Sequence, residues 1–333
     1  MSSSVLRRVA AIIMTVPLLL AGCAGQSSNG PAQSAEGKEP TVIRMGIQPW
    51  IGYAQWYVAE ANGITEANNI AVELTEMKTD ADQSNAFASG RVDMDNIASH
   101  TALLLISEGV PLKIVAIEDS ATTADALLAR GDIKTPADLR GKKVAYEQGA
   151  TSDLLLHAAL ESAGLTLADI EPIPMPAADA GAALIGKKVD AAVTYEPYIS
   201  AALAGDESVH RVYDAQESPG LISDVLVVSE KFAAENPDAV RRAVKAWGEA
   251  VDAYNSDLEA SRAIIAKAIG EEPESLVSAF EGVRYYGAKE NAAEFTTSYL
   301  NETLPTVLEA AKRAGIITKD VDLSTVTDPQ YLS

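Results

Sequence analysis

The body of this chain alternates short runs of two hydrophobic periods. Residues 41–47 (TVIRMGI) and 70–77 (IAVELTEM) alternate apolar and polar positions, which predicts half-buried strands. Between them YAQWYVAEANGI has helical spacing and stops at Gly63. DADQSNAFASG predicts a short helix with Asp80 or Asp82 as its cap and Gly90 as its end. VDMDNI, SHTALLLISEG and LKIVAIEDS continue as strand, helix and strand. After ADALLAR (124–130) the rhythm restarts through KKVAYE, TSDLLLHAALESAG, IEPIPM, AADAGAALIG, VDAAVTY and EPYISAAL. ISDVLVVS (222–229) reads as a nearly continuous apolar strand returning to the first unit, and beyond residue 230 the pattern is helical. Strand and helix joined by short connections make parallel sheets covered by helices. The expected fold class is therefore α/β, with lobe one formed by 41–130 plus 222–333 and lobe two by 131–221.

The first residues carry a different pattern. Arg7 and Arg8 precede the apolar run VAAIIMTVPLLLAG, which is short for a membrane span and has the order of a secretory signal. LAGC resembles the bacterial lipobox, so residues 1–22 are expected to be a signal peptide and Cys23 a lipidated anchor. Cys23 is the single cysteine, which leaves no intramolecular disulfide and no thiolate metal site. Residues 23–40 are small, polar and rich in Ser, Gly and Pro, as expected of a flexible tether.

Charge narrows the partners. The chain has 47 acidic and 26 basic side chains, and without Arg7 and Arg8 the formal charge moves from −21 to −23. Such a surface repels phosphate backbones, which argues against nucleic acid.

In an open sheet, ligands lie beyond the carboxyl ends of the strands. Five predicted strand ends carry hydroxyl, amide, carboxylate or aromatic groups: 48–53, 99–101, 119–125, 148–153 and 195–198. PWIGYAQWY (49–57) holds four aromatic residues in a chain that is 5% aromatic. Trp50 and Tyr53 belong to the loop over the sheet end, Tyr57 to the core, and Trp56 to either. In EQGATSD, Thr151 and Ser152 can hold an anionic or carbonyl oxygen at a helix start, or simply cap that helix. In TYEPY, Glu196 between Tyr195 and Tyr198 can clamp a cationic nitrogen against rings, or stand as a helix-start carboxylate.

These segments, in this order, resemble the solute-binding proteins of ABC importers in the nitrate/sulfonate/taurine group. The similarity spans about Thr41 to Gly315 and rests on PWIGYAQWYVAEANGI, FASGRVDM, SEGVPLKIVAIEDS, IKTPADLRGKKVAYEQGATSDLLLHAALESAGL, VDAAVTYEPYISAAL and LVVSEKFAAENPDAVRRAVKAW. The resemblance implies a two-lobed periplasmic-binding-protein-like (type II) fold with a two-crossing hinge. It also implies a monomer that delivers a small-molecule solute to separate permease and ATPase chains, needs no cofactor or metal, and is not an enzyme. Its cleft positions fall on Trp50, Tyr53, Ser99, Asp119, Asp125, Thr151, Ser152 and Glu196. Tyr195 and Tyr198 stand where many relatives carry tryptophan, and Asp153 where an uncharged polar residue or His is common. Two ligand classes stay open, a sulfonate-like anion and a nitrogen-rich cation or amide. The cation is favoured because Asp119, Asp125, Asp153 and Glu196 all map to the cleft and no arginine lies in its loops. A ligand-sensing lipoprotein is an alternative. A thiamine-pyrimidine-synthase-like enzyme is disfavoured, because His100, His157 and His210 lack metal-ligand spacing and the Cys-rich segment of that branch is missing.

Overall fold

The computed structural model describes residues 39–332. The leader, Cys23 and nearly all of the expected tether lie outside the described residues.

Among the described residues, eleven strands form two mixed sheets. The first contains β1 (Thr41–Ile47), β2 (Ile70–Glu76), β3 (Met94–Ala98), β4 (Leu112–Ala121), β10 (Ser223–Ser229) and β11 (Val283–Tyr285). Its spatial order is β11-β4-β10-β3-β1-β2. The second contains β5 (Asp125–Arg130), β6 (Lys143–Tyr146), β7 (Glu171–Pro174), β8 (Ala191–Tyr195) and β9 (Val209–Asp214), in the order β7-β6-β8-β5-β9. β1, β2 and β3 run parallel, as do β6, β7 and β8. β10 enters antiparallel between β3 and β4, and β5 enters antiparallel between β8 and β9.

Those two antiparallel strands matter for the site. An antiparallel insertion puts the beginning of a strand at the carboxyl edge of its parallel neighbours. Asp224 thus pairs with Ala98 at the end of β3, and Asp125 pairs with Tyr195 at the end of β8.

Two expectations change. The segment 125–130, assigned to lobe one, is the strand next to β8 in the second sheet. Its residues are buried from Asp125 through Ala129, so its apolar run carries no sign of which sheet it joins. The sheets are therefore connected through residues 122–124 and again through 215–222. β9 and β11 lie in stretches assigned no strand, because each mixes polar residues with apolar ones at an edge position.

The first connection is held from outside. The Gly282 carbonyl accepts the N–H groups of Thr122 (2.8 Å) and Ala124 (3.3 Å), and the Arg211 guanidinium donates to the Thr123 carbonyl. A Cβ on Gly282 would lie 2.7 Å from the Ala124 nitrogen, so only glycine permits this approach.

Helices cover both sheets: α1 (Gln55–Ala61), α2 (Ile64–Ala67), α3 (Asp80–Ala88), α4 (Ser99–Ser107), α5 (Thr151–Ser162), α6 (Ala177–Ile185), α7 (Tyr198–Gly205), α8 (Glu230–Glu235) and α9 (Pro237–Ser256). α9 starts on Pro237, whose fixed φ and missing N–H suit a first helical position. It packs Trp247 against Trp56 of α1, with ring centroids 5.6 Å apart. Trp56 is 1% exposed and its indole donates to Asn96 Oδ1 at 2.6 Å, which makes it a core residue. Tyr57 is half-buried against the neighbouring cluster, which contains Tyr53 and Val58.

Candidate ligand-binding site

A pocket of about 480 Å³, including its mouth, lies between the carboxyl edges of the two sheets. The first-sheet side supplies Gln48, Trp50, Tyr53, Asp80, Gln83, Thr101 and Asp224, and the second-sheet side supplies Asp125, Glu147, Thr151, Ser152 and Tyr195. Among the described residues no lysine or arginine lines it.

The loop after β1 does what its composition suggests. The Trp50 indole donates to Asp119 Oδ2 at 3.3 Å, and the Tyr53 hydroxyl donates to Asp224 Oδ1 at 3.1 Å. A Cβ on Gly52 would sit 2.1 Å from both the Trp50 indole nitrogen and Asp119 Oδ2. Glycine is what lets that hydrogen bond pass over the turn. Across the cleft, the Trp50 ring meets the Tyr195 ring edge-on at 5.8 Å, and Tyr195 is backed by Tyr198 at 5.3 Å. Trp50, Tyr53, Asp125, Thr151, Ser152 and Tyr195 therefore come together on one pocket.

Five other expected residues do not line it. Ser99 is buried behind the wall, with its hydroxyl 2.9 Å from that of Ser223 and 2.8 Å from that of Tyr299. Asp119 holds the Trp50 indole from behind. Asp153 folds back onto the Gly149 N–H (2.8 Å) and lies 3.5 Å from His157 one turn along α5. Tyr198 supports Tyr195. Glu196 is fully buried and already occupied: it accepts the Ser200 N–H (2.9 Å) at the start of α7, meets Arg211 at 3.3 Å, and receives the Ser278 hydroxyl at 3.4 Å. Its oxygens are engaged by these donors, away from the pocket lining. Ser152 lines the pocket, but its hydroxyl exchanges hydrogen bonds with the Glu147 backbone (2.8 and 3.3 Å), so it caps the loop.

Asp125 is the opposite case. It lines the pocket, is 4% exposed, and accepts no hydrogen bond from the described residues. Burial, then Asp224, Asp80 and Glu196, push its pKa well above the usual carboxylate range. A buried carboxyl without a partner costs free energy unless something supplies N–H donors or positive charge. Asp224 is raised to about 6 by burial, with Asp119 and Tyr53 opposing that shift through hydrogen bonds. Glu147 is raised to about 7, by burial first and by Asp80 second.

Asp80, Glu147, Asp224, Gln48, Gln83 and Thr101 were absent from the expected set. Gln48 and Thr101 lie in the strand-end stretches 48–53 and 99–101, and two others carried a readable signal. Glu147 ends a predicted strand, immediately before Gln148 and the flagged loop, and Asp224 is a charge set inside an apolar run. Asp80 reads as a helix cap, and nothing in its neighbours distinguishes it from one.

The two-sheet architecture matches known proteins. A family model described as "NMT1/THI5 like" matches residues 50–258. The chain belongs to the NMT1/THI5-like family. It is 28% identical to the putative aliphatic sulfonates-binding protein of Escherichia coli (strain K12) over 77% of this chain and 79% of that protein. Its fold matches the periplasmic aliphatic sulphonate binding protein SsuA from Escherichia coli with a TM-score of 0.70 at 23% identity, covering 86% of this chain and 97% of that one. The desulfurization enzyme DSZB has the same fold, with a TM-score of 0.65 at 16% identity over 88% and 97% of the two chains. Because the fold hosts binders and an enzyme alike, function rests on the residues in the pocket.

Proposed function

We propose that this protein is the extracytoplasmic solute-binding component of an ABC importer and that its solute is a small organic cation. Asp125 carries the reading: a buried carboxyl facing the pocket, unpaired by the protein, is a site for an amine or guanidinium nitrogen. Asp80 and Asp224 add carboxylates to the lining, while Trp50 and Tyr195 supply aromatic rings for a cation. Groups from both sheets contribute, so the solute would favour the closed arrangement about the two connections. The binder reading, rather than an enzyme, is supported by relatives that are named as binding proteins. The sequence reading of a signal peptide, lipidation at Cys23 and a monomeric body completes the proposal, with permease and ATPase as separate chains. No helix among the described residues is long and apolar enough to cross a membrane.

A sulfonate is the second reading, because relatives are named for it and the start of α5 offers N–H groups without intrahelical partners. The acidic lining opposes it. Calorimetric titration with taurine, an alkanesulfonate, an aliphatic amine, urea and guanidinium separates the two. Binding of the amine or guanidinium is expected. Tight sulfonate binding with no response to the nitrogen compounds would overturn the cation.

A further inference from the structure

Glu147 follows β6 directly and lines the pocket from the second sheet. Its Oε1 accepts the backbone N–H of Asp80 at 3.1 Å, and its Oε2 accepts that of Ala177 at 3.0 Å. Asp80 is the first residue of α3, which packs on β1 and β3, whereas Ala177 is the first residue of α6, which packs on β8. One carboxylate thus fills the N-termini of two nine-residue helices, one from each side of the cleft. Helix N-termini present unpaired N–H groups and partial positive charge, the two features that attract an external anion. Here a side chain occupies both.

We propose that Glu147 is a built-in anion that takes the helix N–H groups an anionic solute would use, and so determines the charge specificity of the cleft. The proposal rests on the cationic reading of the site and adds how anions are refused. Two effects act together. The first N–H of each helix is already satisfied, and the ionised carboxylate, with Asp80 and Asp82 on α3 facing it, repels a second anion. The side chain also links the two sides of the cleft, from the end of β6 to the start of α3.

The test is titration of methanesulfonate, a small strong anion, into the wild-type chain and into Glu147→Ala and Glu147→Gln. Alanine frees both N–H groups and removes the charge. Glutamine keeps the length while losing the charge, and it decides the question if the alanine variant does not fold. Wild type is expected to bind methanesulfonate too weakly to measure. Glu147→Ala should gain at least about tenfold, the equivalent of one charge-assisted hydrogen bond, and Glu147→Gln part of that gain. Folded variants that bind no better than wild type would overturn the role of Glu147 and leave the cationic reading standing. Tight methanesulfonate binding by the wild type would overturn both.

Discussion

Two buried carboxylates sit almost side by side at the edge of the second sheet and have opposite surroundings. Glu196, just past the end of β8, is 0% exposed and surrounded by the Ser200 N–H, Arg211 and Ser278. Asp125, at the start of the neighbouring strand, is 4% exposed and has no donor from the described residues. Burial and charge are common to both, so neither property marks a binding group. The distinction lies in whether the protein itself meets the hydrogen-bonding demand. Glu196 spends its acceptors on holding α7 and β9 together. Asp125 keeps its own for a solute.

The largest effect expected from this contrast is on folding. Glu196→Ala leaves Arg211 without its buried partner and should cost about 3–5 kcal/mol of stability, read by denaturant unfolding. A loss below about 1 kcal/mol would show that Glu196 is not the structural member of the pair. Asp125→Asn should do the reverse. Guanidinium affinity should fall by about 1.5–3 kcal/mol, the worth of a hydrogen bond to a charged group, while stability holds or rises. If stability falls and affinity does not, the contrast is wrong.

The aromatic cluster gives a parallel pair. Trp56→Ala should destabilise by about 3–5 kcal/mol, because it empties the contact with Trp247 and strands Asn96. Trp50→Ala should lose solute affinity more than stability, since its ring is set against Tyr195 across the cleft. Similar stability losses in both variants would merge the two halves of PWIGYAQWY into one core element.

The smallest effect is electrostatic. Asp224 and Glu147 have folded pKa values raised to about 6 and about 7. The folded state therefore binds more protons than the unfolded chain, and this contribution to stability is lost as pH rises through those values. Without solute, the melting temperature should fall between about pH 4 and about pH 7, and Asp224→Asn should flatten the slope. Solute binding has the opposite sign, because protons compete with a cation for the same carboxylates. A melting temperature that climbs over that range would contradict the assignment.

Much of this was legible from residue order. The period of each run announced β1, β3, β6 and β8, and the strand-end rule led directly to Trp50, Tyr53, Thr151 and Tyr195. The antiparallel strands were harder to read. Asp224 belongs to the cleft only because β10 runs against β3, and no periodicity encodes that direction. The same blindness put Asp125 with the wrong sheet, although its side chain was picked out. Glu196 misled because a strand-end carboxylate beside rings looks alike whether its partner is a solute or Arg211, which is distant enough in sequence to be unpredictable.

A crystal structure with an amine or guanidinium solute bound tests the central claim most directly. The account predicts a solute nitrogen about 2.7–3.2 Å from the Asp125 carboxylate, beside the rings of Trp50 and Tyr195. A solute anion seated on the first N–H groups of α5, with Asp125 still unpaired, would contradict it.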